Sequence, residues 1–164
     1  MKIDRRAFLG LGAATVAAGV AITLPGSRGA DAQPARFPFR LTDAEWRRRL
    51  NPRQYAVLRQ GETERAGSNP LDREHRRGTF RCAGCGHALF SSAAKFESHT
   101  GWPSFFRPLP RAVTTREDRS LLMQRTEVLC ANCGGHLGHL FNDGPRPTGL
   151  RYCMNGTAMV FRAA

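Results

Sequence analysis

Arg81-Cys82-Ala83-Gly84-Cys85-Gly86-His87-Ala88-Leu89-Phe90 is echoed further along the chain by Leu129-Cys130-Ala131-Asn132-Cys133-Gly134-Gly135-His136-Leu137. Both are Cys-x-x-Cys-Gly turns, and two such turns supply four soft thiolates for a tetrahedral zinc ion. Glycine after the second cysteine lets the backbone fold back so that its N–H groups approach sulfur. The pairs stand farther apart than in an ordinary zinc ribbon, yet loop-closure entropy grows only logarithmically with length. Disulfides are the competing use of these cysteines, but two matched turns favour zinc on Cys82, Cys85, Cys130 and Cys133. With four protein ligands the site has no open position, so its expected role is structural. Short strands separated by Gly and Pro surround both turns, and this part of the chain reads as mainly β.

Upstream the pattern is helical. Leu41-Thr42-Asp43-Ala44-Glu45 has capping-box spacing and predicts a short helix through Leu50. Asn51-Pro52-Arg53-Gln54 offers a second N-cap, with Tyr55 and Leu58 on one helical face and Gly61 as the stop. Glu62 to Arg77 is polar and reads as a long loop. Residues 33–40 read as a flexible lead-in, and the domain proper as 41–164. The first 32 residues read as an export signal: Asp4-Arg5-Arg6-Ala7-Phe8-Leu9, a weakly apolar run to Leu24, then Ala30-Asp31-Ala32 as a small-x-small cleavage site. The paired arginines resemble the twin-arginine signal, which carries folded proteins across the bacterial inner membrane. Such a route lets a cysteine-zinc site assemble in a reducing compartment before export. The expected location is therefore periplasmic, with the export machinery as a partner; an uncleaved membrane anchor is the weaker alternative, because the apolar run is short for a span.

The formal charge is +12, nearly all of it arginine, which raises nucleic acid or an anionic membrane as partners. The arginines fall among acids, however, as in Arg73-Glu74-His75-Arg76-Arg77 and Arg116-Glu117-Asp118-Arg119. Mixed charge of that kind is characteristic of a solvated face, and four zinc-bound thiolates would lower the excess further.

The fifth cysteine stands apart, in Gly149-Leu150-Arg151-Tyr152-Cys153-Met154-Asn155-Gly156. Read as a strand, this segment puts Arg151, Cys153 and Asn155 on one face, a cation, a thiol and an amide together. A half-buried structural cysteine is the plainer alternative. Lys95 to Phe106 forms an aromatic-rich loop in which Trp102 is either core or the wall of an apolar pocket. His136-Leu137-Gly138-His139-Leu140-Phe141 and Leu150 to Phe161 flank the turn Asn142-Asp143-Gly144-Pro145, an arrangement that returns the chain beside itself. His136 and His139 can then approach Cys153. Three residues apart, both histidines face it only if Gly138 hosts a bulge or bend.

Taken together, Cys-x-x-Cys-Gly, Lys95-Phe96-Glu97-Ser98, Gly101-Trp102-Pro103-Ser104-Phe105, Arg125-Thr126-Glu127-Val128, His136-Leu137-Gly138-His139, Asp143-Gly144-Pro145 and Gly149-Leu150-Arg151-Tyr152-Cys153-x-Asn155 occur in that order over roughly residues 41–161. The chain resembles the B-type methionine sulfoxide reductases. That resemblance implies a β-tent-like fold of two antiparallel sheets with short N-terminal helices, one structural zinc, and thiol-dependent reduction of the R epimer of methionine sulfoxide in peptides and oxidised proteins. It implies Cys153 as the nucleophile, His136 and His139 as the groups that polarise and protonate the sulfoxide oxygen, and Asn155 as a hydrogen-bonding residue of the site. The resemblance also implies that Trp102 takes the substrate methyl group, with Arg151 and Phe105 on the substrate side. Asp143 is expected to orient His139 or to serve only as a turn residue.

Two departures qualify the match. Thr100 stands where many relatives have a resolving cysteine, so the expected enzyme has one redox cysteine, reduced by an external thiol such as a thioredoxin-like protein or a small thiol. Gly156 stands where serine is common. A monomer with no nucleic-acid partner is expected. The rivals are a basic zinc-ribbon module that binds nucleic acid, which leaves Cys153 and Trp102 without a role, and a thiol-disulfide oxidoreductase using a Cys-x-x-Cys pair. A zinc deaminase is a weaker reading still, because its His-x-Glu and Pro-Cys-x-x-Cys pieces are missing.

Overall fold

Thr42 and Glu45 form the expected reciprocal capping box and start the first helix, α1 (Asp43–Arg49); Asn51 and Gln54 do the same for α2 (Pro52–Gln60), with Pro52 at its first turn. Gly61 ends α2 in the left-handed conformation, at φ 75°, where a side chain would be strained. The computed structural model describes residues 37–119 and 124–164. The predicted export signal and most of the predicted lead-in lie outside the described residues.

Nine strands follow among the described residues: β1 (Gly78–Cys82), β2 (Ala88–Ser91), β3 (Lys95–Phe96), β4 (Ser104–Phe105), β5 (Val113–Asp118), β6 (Arg125–Cys130), β7 (His136–Phe141), β8 (Arg151–Met154) and β9 (Met159–Ala163). They form a three-stranded sheet in the order β2-β1-β9 and a six-stranded sheet in the order β3-β4-β8-β7-β6-β5. Every pairing is antiparallel. The fold is thus mainly β, with two antiparallel sheets and two short helices, as the resemblance implies.

The core joins the two sheets through aromatic rings. Phe105 on β4 is fully buried, stacked on Phe90 of β2 at 4.3 Å between centroids and edge-on to Phe80 of β1 at 4.9 Å. Burying a ring of that size contributes roughly 2–3 kcal/mol. Trp46 and Leu58 bring the helices onto the same core.

Three expectations about boundaries change. Residues 37–40 are packed down, not loose: Phe39 donates its N–H to the Asn132 carbonyl at 2.8 Å and sets its ring 5.7 Å from Trp46. The stretch Leu150 to Phe161 divides, because a tight turn at Gly156–Ala158 sends β8 into the large sheet and β9 into the small one. That turn also takes Asn155 off the strand, so only Arg151 and Cys153 share its face.

Candidate functional site

Alternation along β4 and β8 decides what meets at Cys153. Phe105 and Tyr152 turn inward onto Phe90, which leaves Ser104 and Cys153 on the opposite face as direct cross-strand partners. Cys153 is also opposite His139, His139 opposite Glu127, and Glu127 opposite Arg116. Ser104, Cys153, His139, Glu127 and Arg116 therefore form one row across five strands, on one face of the large sheet.

His136 joins this face through a break in register. The pairing of β6 with β7 runs Val128 to Gly138 and then Leu129 to His136, so Leu137 is the extra residue of a bulge. The two imidazoles lie 5.4 Å apart, edge to face, as a bend at Gly138 requires. Glycine is needed there because a Cβ would run into the Cys153 carbonyl and the Met154 Cα.

Each imidazole is held by a carboxylate that is itself held by an arginine. His136 Nδ1 lies 2.7 Å from Glu127 Oε1, while Arg116 donates to Glu127 Oε2 at 2.6 and 2.8 Å. Burial pushes the Glu127 carboxyl up, but hydrogen bonds from His136 and Arg116 outweigh it and hold the group below its ordinary value. A carboxylate accepts only, so Nδ1 carries the His136 proton and Nε2 is free for other chemistry. Nε2 is buried without a hydrogen-bond partner, the kind of orphan that a ligand atom can satisfy. His139 Nε2 lies 2.9 Å from Asp118 Oδ2, which also receives Arg125 at 2.8 Å. Burial lowers the His139 pKa, with the hydrogen bond to Asp118 opposing. These groups line a cavity of about 400 Å³ together with Gly61 and Thr63.

Around the thiol, Thr100 Oγ1 is 3.9 Å from Cys153 Sγ, Ser98 Oγ is 2.8 Å from Thr100 Oγ1, and Ser104 Oγ is 2.7 Å from Ser98. Ser104 donates on to the Trp102 carbonyl at 3.1 Å. Burial pushes the Cys153 thiol up; Thr100, the charge of Arg151 and Ser104 pull it back. Arg151 is 8% exposed, lies 4.3 Å over the Phe141 ring, and donates twice to Asp143 at 2.8 Å.

Two site expectations need correction. Phe105 has no surface to offer a substrate, because the pairing of β4 turns it into the core. Asp143 holds Arg151, and the carboxylate on His139 is Asp118. Trp102 is half-buried, with its indole N–H donated to the Glu64 carbonyl at 3.1 Å. Asn155 spends its amide on the backbone, giving Nδ2 to the Leu137 carbonyl at 3.2 Å and accepting the Glu64 N–H at 3.0 Å. Glu127, Asp118 and Glu64 are the contributors that the sequence did not single out for a role. The alternation of β6 against β7 puts Glu127 beside the histidines, but no local signal marks Asp118 or Glu64.

The four remaining cysteines meet at the other end of β6. Their sulfurs all lie within 4.8 Å of one another, with Cys82 to Cys133 at 3.7 Å and Cys85 to Cys130 at 3.6 Å. Those separations exceed a disulfide bond, and they match the roughly 3.8 Å edge of a tetrahedron with 2.3 Å zinc–sulfur bonds. The two turns are built alike: Gly86 donates to the Cys82 carbonyl and Gly134 to that of Cys130, each at 2.8 Å, with φ of 76° and 69°. The neighbouring cysteines, and burial after them, push the Cys82 and Cys133 thiols up, a cost that a bound cation removes. The donor set fits zinc, and no Cys-x-x-Cys is left over as a separate redox pair.

A lone thiol flanked by hydroxyls, two carboxylate-held imidazoles and a separate cluster of four cysteines able to hold a metal ion define a protein built for thiol chemistry. Residues 50–163 match the family model described as the SelR domain. The chain is 52% identical over 122 residues to the "Peptide methionine sulfoxide reductase MsrB" of Leptospira interrogans, covering 74% of this chain and 93% of that protein. It is 56% identical over 119 residues to the protein of that name from Bradyrhizobium diazoefficiens, covering 72% and 86%, and 47% identical over 124 residues to "Peptide methionine sulfoxide reductase B1, chloroplastic" of Arabidopsis thaliana, covering 75% and 61%. The chain belongs to this family, the B-type methionine sulfoxide reductases.

Proposed function

We propose that the protein reduces the R epimer of peptide-bound methionine sulfoxide through a single redox cysteine. The carrying observation is the row in which Cys153 lies directly between Ser104 and His139, with Thr100 beside its sulfur. The Cys153 thiolate attacks the sulfoxide sulfur, and the oxygen is protonated from the imidazole side: His136 takes a solvent proton on its free Nε2, with Glu127 on Nδ1 supporting the imidazolium, and passes that proton to the oxygen. Sulfur–oxygen cleavage releases methionine and leaves Cys153 as a sulfenic acid, which carries the oxygen. Two equivalents of an external thiol then give water, a disulfide of that thiol and free Cys153. Zinc on Cys82, Cys85, Cys130 and Cys133 would tie the two sheets together and take no part in these steps. Trp102 supplies the apolar wall for the substrate methyl group, and its fixed side of the site gives the epimer choice.

The export signal suggests that the substrates are oxidised exported proteins. A secretion reporter fused to residues 1–32 should leave the cytoplasm, and the Arg5→Lys/Arg6→Lys pair should retain it.

The test of the chemistry supplies separated R and S sulfoxide peptides with a dithiol. Turnover of R alone, abolished in Cys153→Ser, supports the assignment; equal use of both epimers, or activity surviving that substitution, overturns it. After one turnover without reductant, mass spectrometry should find sulfenic acid on Cys153, and an internal disulfide there would refute the one-cysteine scheme.

A further inference from the structure

Glu64 lies in the polar loop after α2, where residues 62–63 and 65–68 on either side of it are exposed. Its polar groups nevertheless reach three separate walls. The carboxylate accepts the Gly156 N–H at 2.5 Å on Oε1 and the Thr157 N–H at 2.8 Å on Oε2, with Asn69 Nδ2 at 3.4 Å. Its backbone carbonyl accepts the Trp102 indole N–H at 3.1 Å, and its backbone N–H goes to Asn155 Oδ1 at 3.0 Å. The loop is closed a second time where Gly67 donates to the Gly101 carbonyl at 2.7 Å.

Successive N–H groups at the start of a turn form a small anion-binding concavity, and here the chain's own carboxylate fills it. The tie links Gly156 and Thr157, which follow the Cys153 strand, to the Trp102 indole; the backbone beside that indole is already fixed, since Pro103 accepts the Met154 N–H at 2.9 Å and Ser104 pairs with Cys153, which leaves the indole itself to be held. We propose that Glu64 is a positioning residue for the reaction: its carboxylate, gripped by Gly156 and Thr157, fixes the Glu64 carbonyl that holds the Trp102 indole, and so orients the Trp102 wall against the Cys153 strand. This rests on the assignment of Trp102 as the substrate wall. The backbone contacts of Glu64 survive substitution, so side-chain variants test the carboxylate alone. Gln offers one oxygen and turns an NH₂ toward the second N–H, so it should fail much as Ala does, while Asp keeps two acceptors on a shorter stem.

The experiment compares Glu64→Gln, Glu64→Ala and Glu64→Asp on an R-sulfoxide peptide, alongside melting curves and acrylamide quenching. The chain has two tryptophans, and Trp46 is 3% exposed, so quenching reports Trp102. In Gln and Ala we expect KM to rise about tenfold with kcat within about twofold, the pattern of lost uniform binding. Quenching should increase in the same two variants, and Asp should recover part of both. A folded Glu64→Gln protein with unchanged KM and unchanged quenching overturns the proposal, as does a KM change that tracks the loss of folded protein. Trp102→Ala run in parallel separates the two claims. If it leaves KM unchanged, the substrate-wall assignment falls and the quenching result alone decides whether Glu64 sets the loop.

Discussion

Thr100→Val removes a hydroxyl from beside Cys153 while nearly preserving shape. Burial raises the Cys153 pKa, and Thr100 is the largest of the influences that oppose it. Hydrogen bonds to charged groups contribute about 1.5–3 kcal/mol, and a contact of 3.9 Å belongs at or below the bottom of that range. A loss of about 1.4 kcal/mol moves the thiol pKa up by roughly one unit. Below the pKa the thiolate fraction then falls about tenfold; a more basic thiolate is also the better nucleophile, with a Brønsted slope of about 0.4–0.5, so the alkylation rate should fall only about threefold to fourfold. Above the pKa, where both proteins are ionised, the variant should be the faster of the two. The sign follows from the direction of the shift: a raised pKa removes reactivity at neutral pH and returns it as pH rises.

The assay is iodoacetamide labelling of the Cys153 peptide against pH, read by mass spectrometry so that the knuckle cysteines do not contribute. Thr100→Ser should retain the wild-type midpoint, because it keeps a hydroxyl next to Ser98 and the sulfur. An unchanged midpoint in Thr100→Val, or an equal shift in Thr100→Ser, would refute the argument that this hydroxyl supports the thiolate.

Asp143→Asn removes the carboxylate that neutralises Arg151, so the Cys153 labelling midpoint should move down, by less than about one unit; an upward move would show that Asp143 matters by placing the guanidinium. Cys130→Ser should lower metal content, measured by atomic absorption, and reduce the melting temperature, since metal binding at such a site is folding free energy. Gly138→Ala forces a Cβ against the backbone of Cys153 and Met154, and chemical denaturation should show a loss of about 2 kcal/mol or more, with activity falling more steeply as the two imidazoles separate.

The parts of this molecule that were legible in its sequence share one property: a local rule determines them. Capping boxes at Thr42 and Asn51, the stop at Gly61 and the two Cys-x-x-Cys-Gly turns each depend on residues a few positions apart, and all appear where their spacing puts them. The histidines were legible in a weaker way, as a conditional: period-2 geometry demands a bulge or bend at Gly138 if both are to face Cys153, and the register slips at its neighbour Leu137. What escaped depends on which strands are neighbours. Phe105 and Ser104 are adjacent in a loop-like segment, and only the pairing of β4 with β8 decides that the serine meets Cys153 while the phenylalanine enters the core. Asp118 looked like part of a solvated charge run with Arg116, Glu117 and Arg119, and Asp143 looked closer to His139 in sequence. The strand order β8-β7-β6-β5 reverses that choice, bringing Asp118 to the imidazole while Arg151 draws Asp143 to the β8 side. The same order gives three arginines a local use: Arg116, Arg125 and Arg151 pair with the carboxylates that hold or border the site. Charge that looks diffuse along the chain is, across the sheet, the scaffold for two imidazoles and a thiol.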